Sequence, residues 1–296
     1  MSDFKQIGFI GTGNMGKGIA KTLLEKDYSV YLLAHRNRAN VEKLVEFGAE
    51  EVSSVAQLLE QVRVVITCLP SRKAIESVYG ALLAHARKDT ILIDTSTSDP
   101  ELTRKLQAEA AENGLDIVDA PLLGGPQMTW EGKIGLAVGG VSNSVDKAKP
   151  ILEDFSARIF YAGGPSTGHS LKLINNAVTL TNSAILYEAF AVAKKSGIDL
   201  SMLYEAMDAS AASSKRLHGI APCLINDEHP ISFALNVASK DLVLYSAFAG
   251  ETGVPTLVSD AAKNQYKLAQ SMGYGEQSVT RIATALAKLA GVSFDE

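Results

Sequence analysis

Ile7–Gly18 reads IGFIGTGNMGKG, and the character of the chain changes twice within it. Ile7 to Ile10 is a short apolar run of the kind a buried strand uses. It stops at Gly11-Thr12-Gly13-Asn14-Met15-Gly16, a G-x-G-x-x-G turn, and continues into IAKTLL, which has helical composition. A glycine turn between a strand and a helix gives the motif its context. Gly11 allows the tight turn, Gly13 lets backbone approach a pyrophosphate, and Gly16 lets helix pack on strand. The N–H groups of Asn14, Met15 and Gly16 then fall at a helix N-terminus, where they face anionic phosphate. The same turn without a ligand is the plainer alternative. Its place between strand and helix predicts a dinucleotide site.

The next apolar run, Ser29–Ala34, predicts the strand whose end meets the adenine ribose. A carboxylate there accepts from the 2′-hydroxyl of NAD, whereas a cation there pairs with the 2′-phosphate of NADP. This chain offers His35-Arg36-Asn37-Arg38 and no carboxylate. Arg36 and Arg38 carry planar forks suited to phosphate. The expected cofactor is NADP(H), with NAD(H) as the alternative.

The 296 residues suit one large domain or two ordinary ones. A hydrophobic content of 46% is enough for a sizeable core, and the net charge of −5 argues against nucleic acid or an anionic membrane as partner. Cys68 and Cys223 are the two cysteines; they form neither a disulfide framework nor a metal-ligand pattern, and no metal is expected. MSDFKQ does not read as a signal peptide, and no apolar run reaches the roughly 18 residues of a membrane span. The expectation is a soluble cytoplasmic protein acting on a small molecule.

Strand and helix patterns alternate through the first half. Strands are expected at Glu51-Val52, Val64–Cys68, Ile91–Asp94, Asp116–Ala120, Ile134–Val138 and Ile159–Tyr161. Helices are expected at Val41–Phe47, Ser54–Gln61 with Ser54 as cap, from about Pro100, and near Val145–Phe155. Such alternation predicts a doubly wound, mostly parallel α/β sheet, with ligands at the carboxyl ends of its strands. Leu69-Pro70, Ser96-Thr97 and Pro121–Gly125 then form one rim. Beyond Gly163-Gly164-Pro165 only helices are expected. This divides the chain into a dinucleotide-binding domain, residues 1–163, and an all-helical substrate and oligomerisation domain, residues 164–296.

Gly168–Lys195 reads as one helix of about 28 residues, roughly 40 Å long. Its composition predicts burial on most sides. One polar stripe interrupts it: Lys172, Asn176, Thr179 and Ser183 share a face, with Asn175 beside it. A lysine near a helix N-terminus gains nothing from the dipole, and burial there costs desolvation. Desolvation draws an ammonium toward neutrality, as an acid/base lysine requires. The plainer alternative is a lysine that snorkels at the helix edge. Phe233–Gly250 is also helical, with Phe233, Val237, Leu244 and Phe248 as its apolar face. Lys240 and Asp241 fall on that face, as a structural ion pair or a ligand contact. Two more helices are expected at Val254–Gln270 and Gln277–Leu289.

The ordered motifs GFIGTGNMGKGIA, ITCLP, DTSTSDP, DAPLLGG, GHSLKLINN and KDL cover the whole chain. The sequence resembles the β-hydroxyacid dehydrogenase family, which includes 3-hydroxyisobutyrate dehydrogenases, tartronate semialdehyde reductases and succinic semialdehyde/glyoxylate reductases. The resemblance implies Lys172 as acid/base residue and Asn176 as its hydrogen-bonding neighbour. It brings Leu69, Pro70, Thr97 and Lys240 to the cofactor. Ser96, Leu123, Gly124, Gly125, Asn175 and Asp241 become substrate contacts. It also implies a homodimer or homotetramer. Two departures stand out. Leu122-Leu123 replace the family's usual Val-Ser before the glycines, which removes a hydroxyl from the carboxylate loop. His35 stands where NAD-using relatives tend to carry Asp. Trp130, on the same loop, is open to a role in the pocket or in packing. The expected reaction is hydride transfer between a short β-hydroxyacid and its semialdehyde or keto form. The alternatives are an imine reductase, which Lys172 argues against, and a non-catalytic module of the same fold.

Overall fold

Nine strands form one sheet among the described residues: β1 Gln6–Ile10, β2 Ser29–Leu33, β3 Glu50–Val52, β4 Val64–Thr67, β5 Ile91–Asp94, β6 Asp116–Asp119, β7 Leu122–Leu123, β8 Ile134–Gly139 and β9 Ser156–Gly163. The structure is a computed structural model that describes residues 2–34 and 38–294. The strand order is β3-β2-β1-β4-β5-β6-β8-β7, with β9 paired to β8. Pairing is parallel from β3 to β6; β8 runs antiparallel to β6 and β7, and parallel to β9. The central strands β1, β4 and β5 are buried almost throughout, which explains why they read as continuous apolar runs rather than alternating ones.

Helices cover both faces. They are α1 Gly16–Leu24, α2 Arg38–Glu46, α3 Val55–Gln61, α4 Arg72–His85, α5 Pro100–Glu112, α6 Pro126–Trp130 and α7 Ser142–Phe155. One core joins the sheet to α1, α2 and α7 through Ile19, Leu23, Leu44, Leu152 and Phe155. The opposite core uses Leu58, Tyr79, Leu82 and Leu106 from α3, α4 and α5. Local capping sets several starts. Ser54 Oγ accepts from Gln57 N, Ser71 Oγ from Ala74 N, and Asp99 Oδ1 from Glu101 N, with Pro100 at the first turn of α5. The Ser54 cap is the one the sequence predicts. Helix α4 is an addition to the elements expected from the sequence pattern.

The chain divides into two compact units, Met1–Lys172 and Leu173–Glu296. The long helix α8, Thr167–Lys195, begins in the first and continues in the second. The second unit adds α9 Leu200–Asp208, α10 Lys215–Ile225, α11 Leu235–Thr252, α12 Leu257–Ala269 and α13 Arg281–Leu289. Its core gathers Tyr187, Phe190, Leu217, Leu224, Leu242, Tyr266 and Ile282. No described helix is long and apolar enough to cross a membrane.

Two details differ from the sequence reading. Helix α8 is buried or half-buried around most of its surface, yet Ile174, Val178, Ile185 and Val192 are all exposed along one flank. An apolar composition does not specify which side of a helix the chain itself covers. Helix α11 starts at Leu235, so Phe233 precedes it, and Val237 is 45% exposed. Its inward face is instead Leu235, Ala238, Leu242 and Ala249, with Asp241 buried beside Leu242.

Candidate active site

Gly11 has φ +106°, and a Cβ there would stand 2.2 Å from the Cys68 carbonyl oxygen. A Cβ on Gly16 would stand 2.0 Å from the Gly11 carbonyl oxygen. Both contacts forbid a side chain, so these glycines are required by the turn itself. Gly13 is different. It is exposed, and nothing lies within 4 Å of the position its Cβ would take. The outer surface of the turn is therefore open at the position where a pyrophosphate approaches. No side chain caps α1 at Met15, in contrast to α3, α4 and α5. An uncapped helix start beside an open glycine fits a dinucleotide phosphate. Asn14 is exposed and Met15 half-buried at the same edge.

The strands carry three further segments to that edge. Leu69 N donates to Ser96 Oγ at 2.8 Å, which ties the Leu69-Pro70 corner after β4 to the Ser96-Thr97 corner after β5. Ser96 N donates to Asp94 Oδ1 at 3.0 Å, and Asp94 Oδ1 also accepts from Thr67 Oγ1. Ser96 is thus buried and hydrogen-bonded on both sides, while Thr97 is half-buried. Ala120 N donates to the Asp94 carbonyl and brings the third corner alongside. There Leu123 is half-buried, Gly124 is exposed with φ +153°, and Gly125 stands at the start of α6.

Buried side chains that sequence reasoning missed fix the start of α8. Asp119 is fully buried. Its Oδ1 accepts from Ser166 N at 3.1 Å and from Gln107 Nε2, and its Oδ2 accepts from His169 N at 2.9 Å. A carboxylate on the first N–H groups of a helix both satisfies them and complements the dipole. His169 is 0% exposed; its Nε2 lies 3.1 Å from the Ser96 carbonyl oxygen and its Nδ1 2.8 Å from Thr103 Oγ1. A carbonyl can only accept, so Nε2 carries the proton. The signal is present in outline: Asp94 ends the apolar run Ile91–Ile93, and Asp119 follows Ile117-Val118. Their partners lie far away in sequence. Lys172 follows His169 by three residues on the same face of the helix and is only 8% exposed.

The second unit holds its own polar cluster. Asn176 is buried, and its Nδ2 donates to Asp241 Oδ2 at 2.7 Å. Asp241 is 2% exposed. Lys240 Nζ forms an ion pair with Asp241 Oδ1 at 2.9 Å. The two open readings of Lys240 and Asp241 resolve in part: they form an ion pair, and the carboxylate also holds Asn176. Asn175 is exposed, with Nδ2 3.4 Å from Asn176 Oδ1. Farther along the stripe, Thr179 Oγ1 donates to the Asn175 carbonyl, and Ser183 Oγ donates to the Thr179 carbonyl while accepting from Arg216 Nε. Thr179 is thus held by the helix itself, and Ser183 by the helix and by Arg216 of α10.

His35 and Arg36 lie outside the described residues. Arg38 opens α2, and its fork closes on Glu51, with Nη1–Oε1 at 2.5 Å and Nη2–Oε2 at 3.0 Å. Glu51 comes from β3, so the absence of a carboxylate after β2 does not leave Arg38 without one. Trp130 packs edge-on against Phe47 at 6.1 Å between ring centres, with Lys21 Nζ 5.1 Å from its ring centre. Its neighbours are on α1 and just beyond α2.

Comparison with known proteins finds two family models along the chain. Residues 6–163 match the family model described as the NAD binding domain of 6-phosphogluconate dehydrogenase. Residues 166–286 match the model described as NAD-binding of NADP-dependent 3-hydroxyisobutyrate dehydrogenase. A 3-hydroxyisobutyrate dehydrogenase of Pseudomonas aeruginosa is 34% identical over 272 residues, which cover 88% of this chain and 91% of that protein. A 2-(hydroxymethyl)glutarate dehydrogenase of Eubacterium barkeri is 28% identical over 97% of each chain. The solved Mycobacterium tuberculosis 3-hydroxyisobutyrate dehydrogenase with L-serine superposes with a TM-score of 0.86, at 24% identity, over 95% of this chain and 98% of that one. The open glycine turn, the strand-end rim and both family matches agree: this chain belongs to the β-hydroxyacid dehydrogenase family of NAD(P)-binding oxidoreductases.

Proposed function

We propose that the protein is a cytoplasmic, NADPH-preferring oxidoreductase that interconverts a short β-hydroxyacid and its semialdehyde or keto form. Residues 1–163 bind the cofactor, and residues 164–296 carry substrate contacts and the oligomer interface. When bound, the nicotinamide supplies hydride chemistry at the carbinol or carbonyl carbon. The chain's own residues bind, orient and move the proton. In oxidation, the Lys172 amine takes the hydroxyl proton as the C–H hydride leaves; in reduction, its ammonium returns that proton to the carbonyl oxygen. Fixed donors near the developing charge need no reorganisation during the step.

The observation that carries this reading is the burial of Lys172 one turn beyond His169, in a helix start fixed to the strand-end rim. A lysine kept from water on a helix whose start is tied to that rim supports proton transfer over a role in solubility. Thr97 and Lys240 are assigned to the cofactor, and Gly124 and Gly125 to a substrate carboxylate through backbone N–H groups. Leu123 lacks a hydroxyl, so the loop favours substrates other than 3-hydroxyisobutyrate. Leu123→Ser should raise its turnover; efficient use of 3-hydroxyisobutyrate by the unaltered enzyme contradicts that retuning. The exposed apolar flank Ile174, Val178, Ile185 and Val192 supports a homodimer or homotetramer.

The test is a substrate panel read by NAD(P)H absorbance. It contains 3-hydroxyisobutyrate, L-serine, succinic semialdehyde, glyoxylate, tartronate semialdehyde and a cyclic imine, each with both cofactors. Turnover of a hydroxyacid or semialdehyde with NADP(H) favoured supports the reading. Turnover of the imine alone, or of nothing, contradicts it.

A further inference from the structure

Asn176 is a buried amide with two unlike ends, and one neighbour dictates which end faces where. Asp241 Oδ2 lies 2.7 Å from its Nδ2. Asp241 also pairs with Lys240, whose Nζ stands 2.9 Å from its Oδ1. An ionised carboxylate only accepts, so it can only be met by the amide NH2. Turned the other way, the amide oxygen would stand against the carboxylate oxygen in a buried place. That orientation loses a charge-assisted hydrogen bond and sets two acceptors in contact.

With Nδ2 committed to Asp241, Oδ1 faces away from it. Helical side chains lean toward the N-terminus, so a residue at i+4 reaches back over the turn that carries residue i. Residue i here is Lys172. Asn175 Nδ2, at 3.4 Å, also lies on the Oδ1 side. The side of Asn176 turned toward Lys172 is therefore an acceptor and not a donor.

We infer that Asp241 is a positioning residue: it locks the Asn176 amide so that Oδ1 accepts from the Lys172 ammonium and aims that ammonium at the substrate oxygen. This rests on the proposed role of Lys172 and alters the part given to Asn176. The amide orients the acid rather than donating to the substrate oxygen. Lys240 belongs to the same device through its ion pair with Asp241. A carboxylate that is almost wholly buried thereby acts on the chemistry without touching the substrate.

The test exchanges donor and acceptor. In Asp241→Leu the amide loses its lock; kcat should fall by roughly 10- to 100-fold, with KM for the cofactor changed less than about twofold. In Asn176→Asp two carboxylates meet, and the loss should be larger. The double variant Asn176→Asp with Asp241→Asn rebuilds the pair with the roles reversed. The amide now on α11 donates, and an oxygen again faces Lys172, so kcat should recover at least about tenfold over Asn176→Asp alone. No recovery overturns the inference, because the reversed pair restores the hydrogen bond and the oxygen facing Lys172 and gives up only the donor on residue 176 and the ion pair with Lys240. The assay uses the substrate of highest kcat in the panel. A second readout needs no substrate. NMR of the side-chain amides should show the Asn176 NH2, identified by its loss in Asn176→Asp, as slowly exchanging in the unaltered protein and fast in Asp241→Leu. An unchanged signal overturns the lock. Lys172→Met separates the two ideas. Normal kcat there sinks the acid/base reading, whereas a lost kcat with indifferent Asp241 variants sinks this inference alone.

Discussion

Arg38 and Glu51 form a two-pronged pair, with two guanidinium nitrogens on the two carboxylate oxygens at 2.5 and 3.0 Å. The arginine opens the helix after β2 and the glutamate sits in β3, which pairs with β2 through Leu32 and Glu51. The Arg38 fork lowers the Glu51 carboxyl below its ordinary range, so the pair is charged at neutral pH. An arginine held this way must leave its partner to read a 2′-phosphate.

The cofactor prediction follows from that competition. Glu51→Gln should lower KM for NADPH by about two- to fivefold, since an exposed pair is weak, and leave NADH nearly unchanged. Arg36→Ala and Arg38→Ala should each raise KM for NADPH more than for NADH. Equal changes for both cofactors contradict 2′-phosphate reading at this edge.

The glycine turn separates folding from binding. Gly16→Ala forces a methyl to within 2.0 Å of the Gly11 carbonyl oxygen, so it should lower the melting temperature as well as cofactor affinity. Gly13→Ala meets no protein atom within 4 Å, so the melting temperature should hold while Kd for NADPH rises roughly tenfold or more. Unchanged NADPH affinity in Gly13→Ala would remove the pyrophosphate from this turn.

Cys68 lies just behind the turn, and burial pushes its thiol up to about 11 from an ordinary 9.0. Asp94 pushes the same way, while hydrogen bonds from Thr95 and the Gly16 backbone oppose it. A raised value in the folded state means stability that is full below pH 9.0 and is lost as the pH rises through about 11. At pH near 8 the thiolate is scarce, so iodoacetamide should modify Cys68 about a hundredfold more slowly than an unhindered thiol. Labelling at the unhindered rate, read by peptide mass spectrometry, contradicts this placement.

Much of the frame is legible in the sequence because its signals are local. The run Ile7–Ile10, the glycine turn, the cap at Ser54 and the periodic stretch through Lys195 each announce themselves within a few residues. The partners that aim the site do not. Asn176 and Asp241 are 65 residues apart, and periodicity can place each on a face without stating what the other face meets. In sequence His169 is one more polar residue in a motif; the Ser96 carbonyl and Thr103 hydroxyl on either side of it appear only in the fold. Arg38 looks unopposed along the chain because its carboxylate arrives from the neighbouring strand. Trp130 stands near the substrate loop in sequence, yet its ring rests on α1 and Phe47. The flank of α8 escapes the sequence because apolar composition reports a need for burial and not who supplies it.

Lys172→Met tests the central claim most directly, by kcat on the best substrate of the panel together with Kd for NADPH. The methionine keeps the apolar stem, so the fold should survive, and the glycine turn should hold the cofactor with its affinity unchanged. A general acid/base group contributes about 10²–10⁴ in rate, so kcat should fall at least about a hundredfold and the limb of the pH profile that belongs to the lysine should vanish. A near-normal kcat with intact NADPH binding would make Lys172 a packing residue and contradict the proton-transfer role proposed for it.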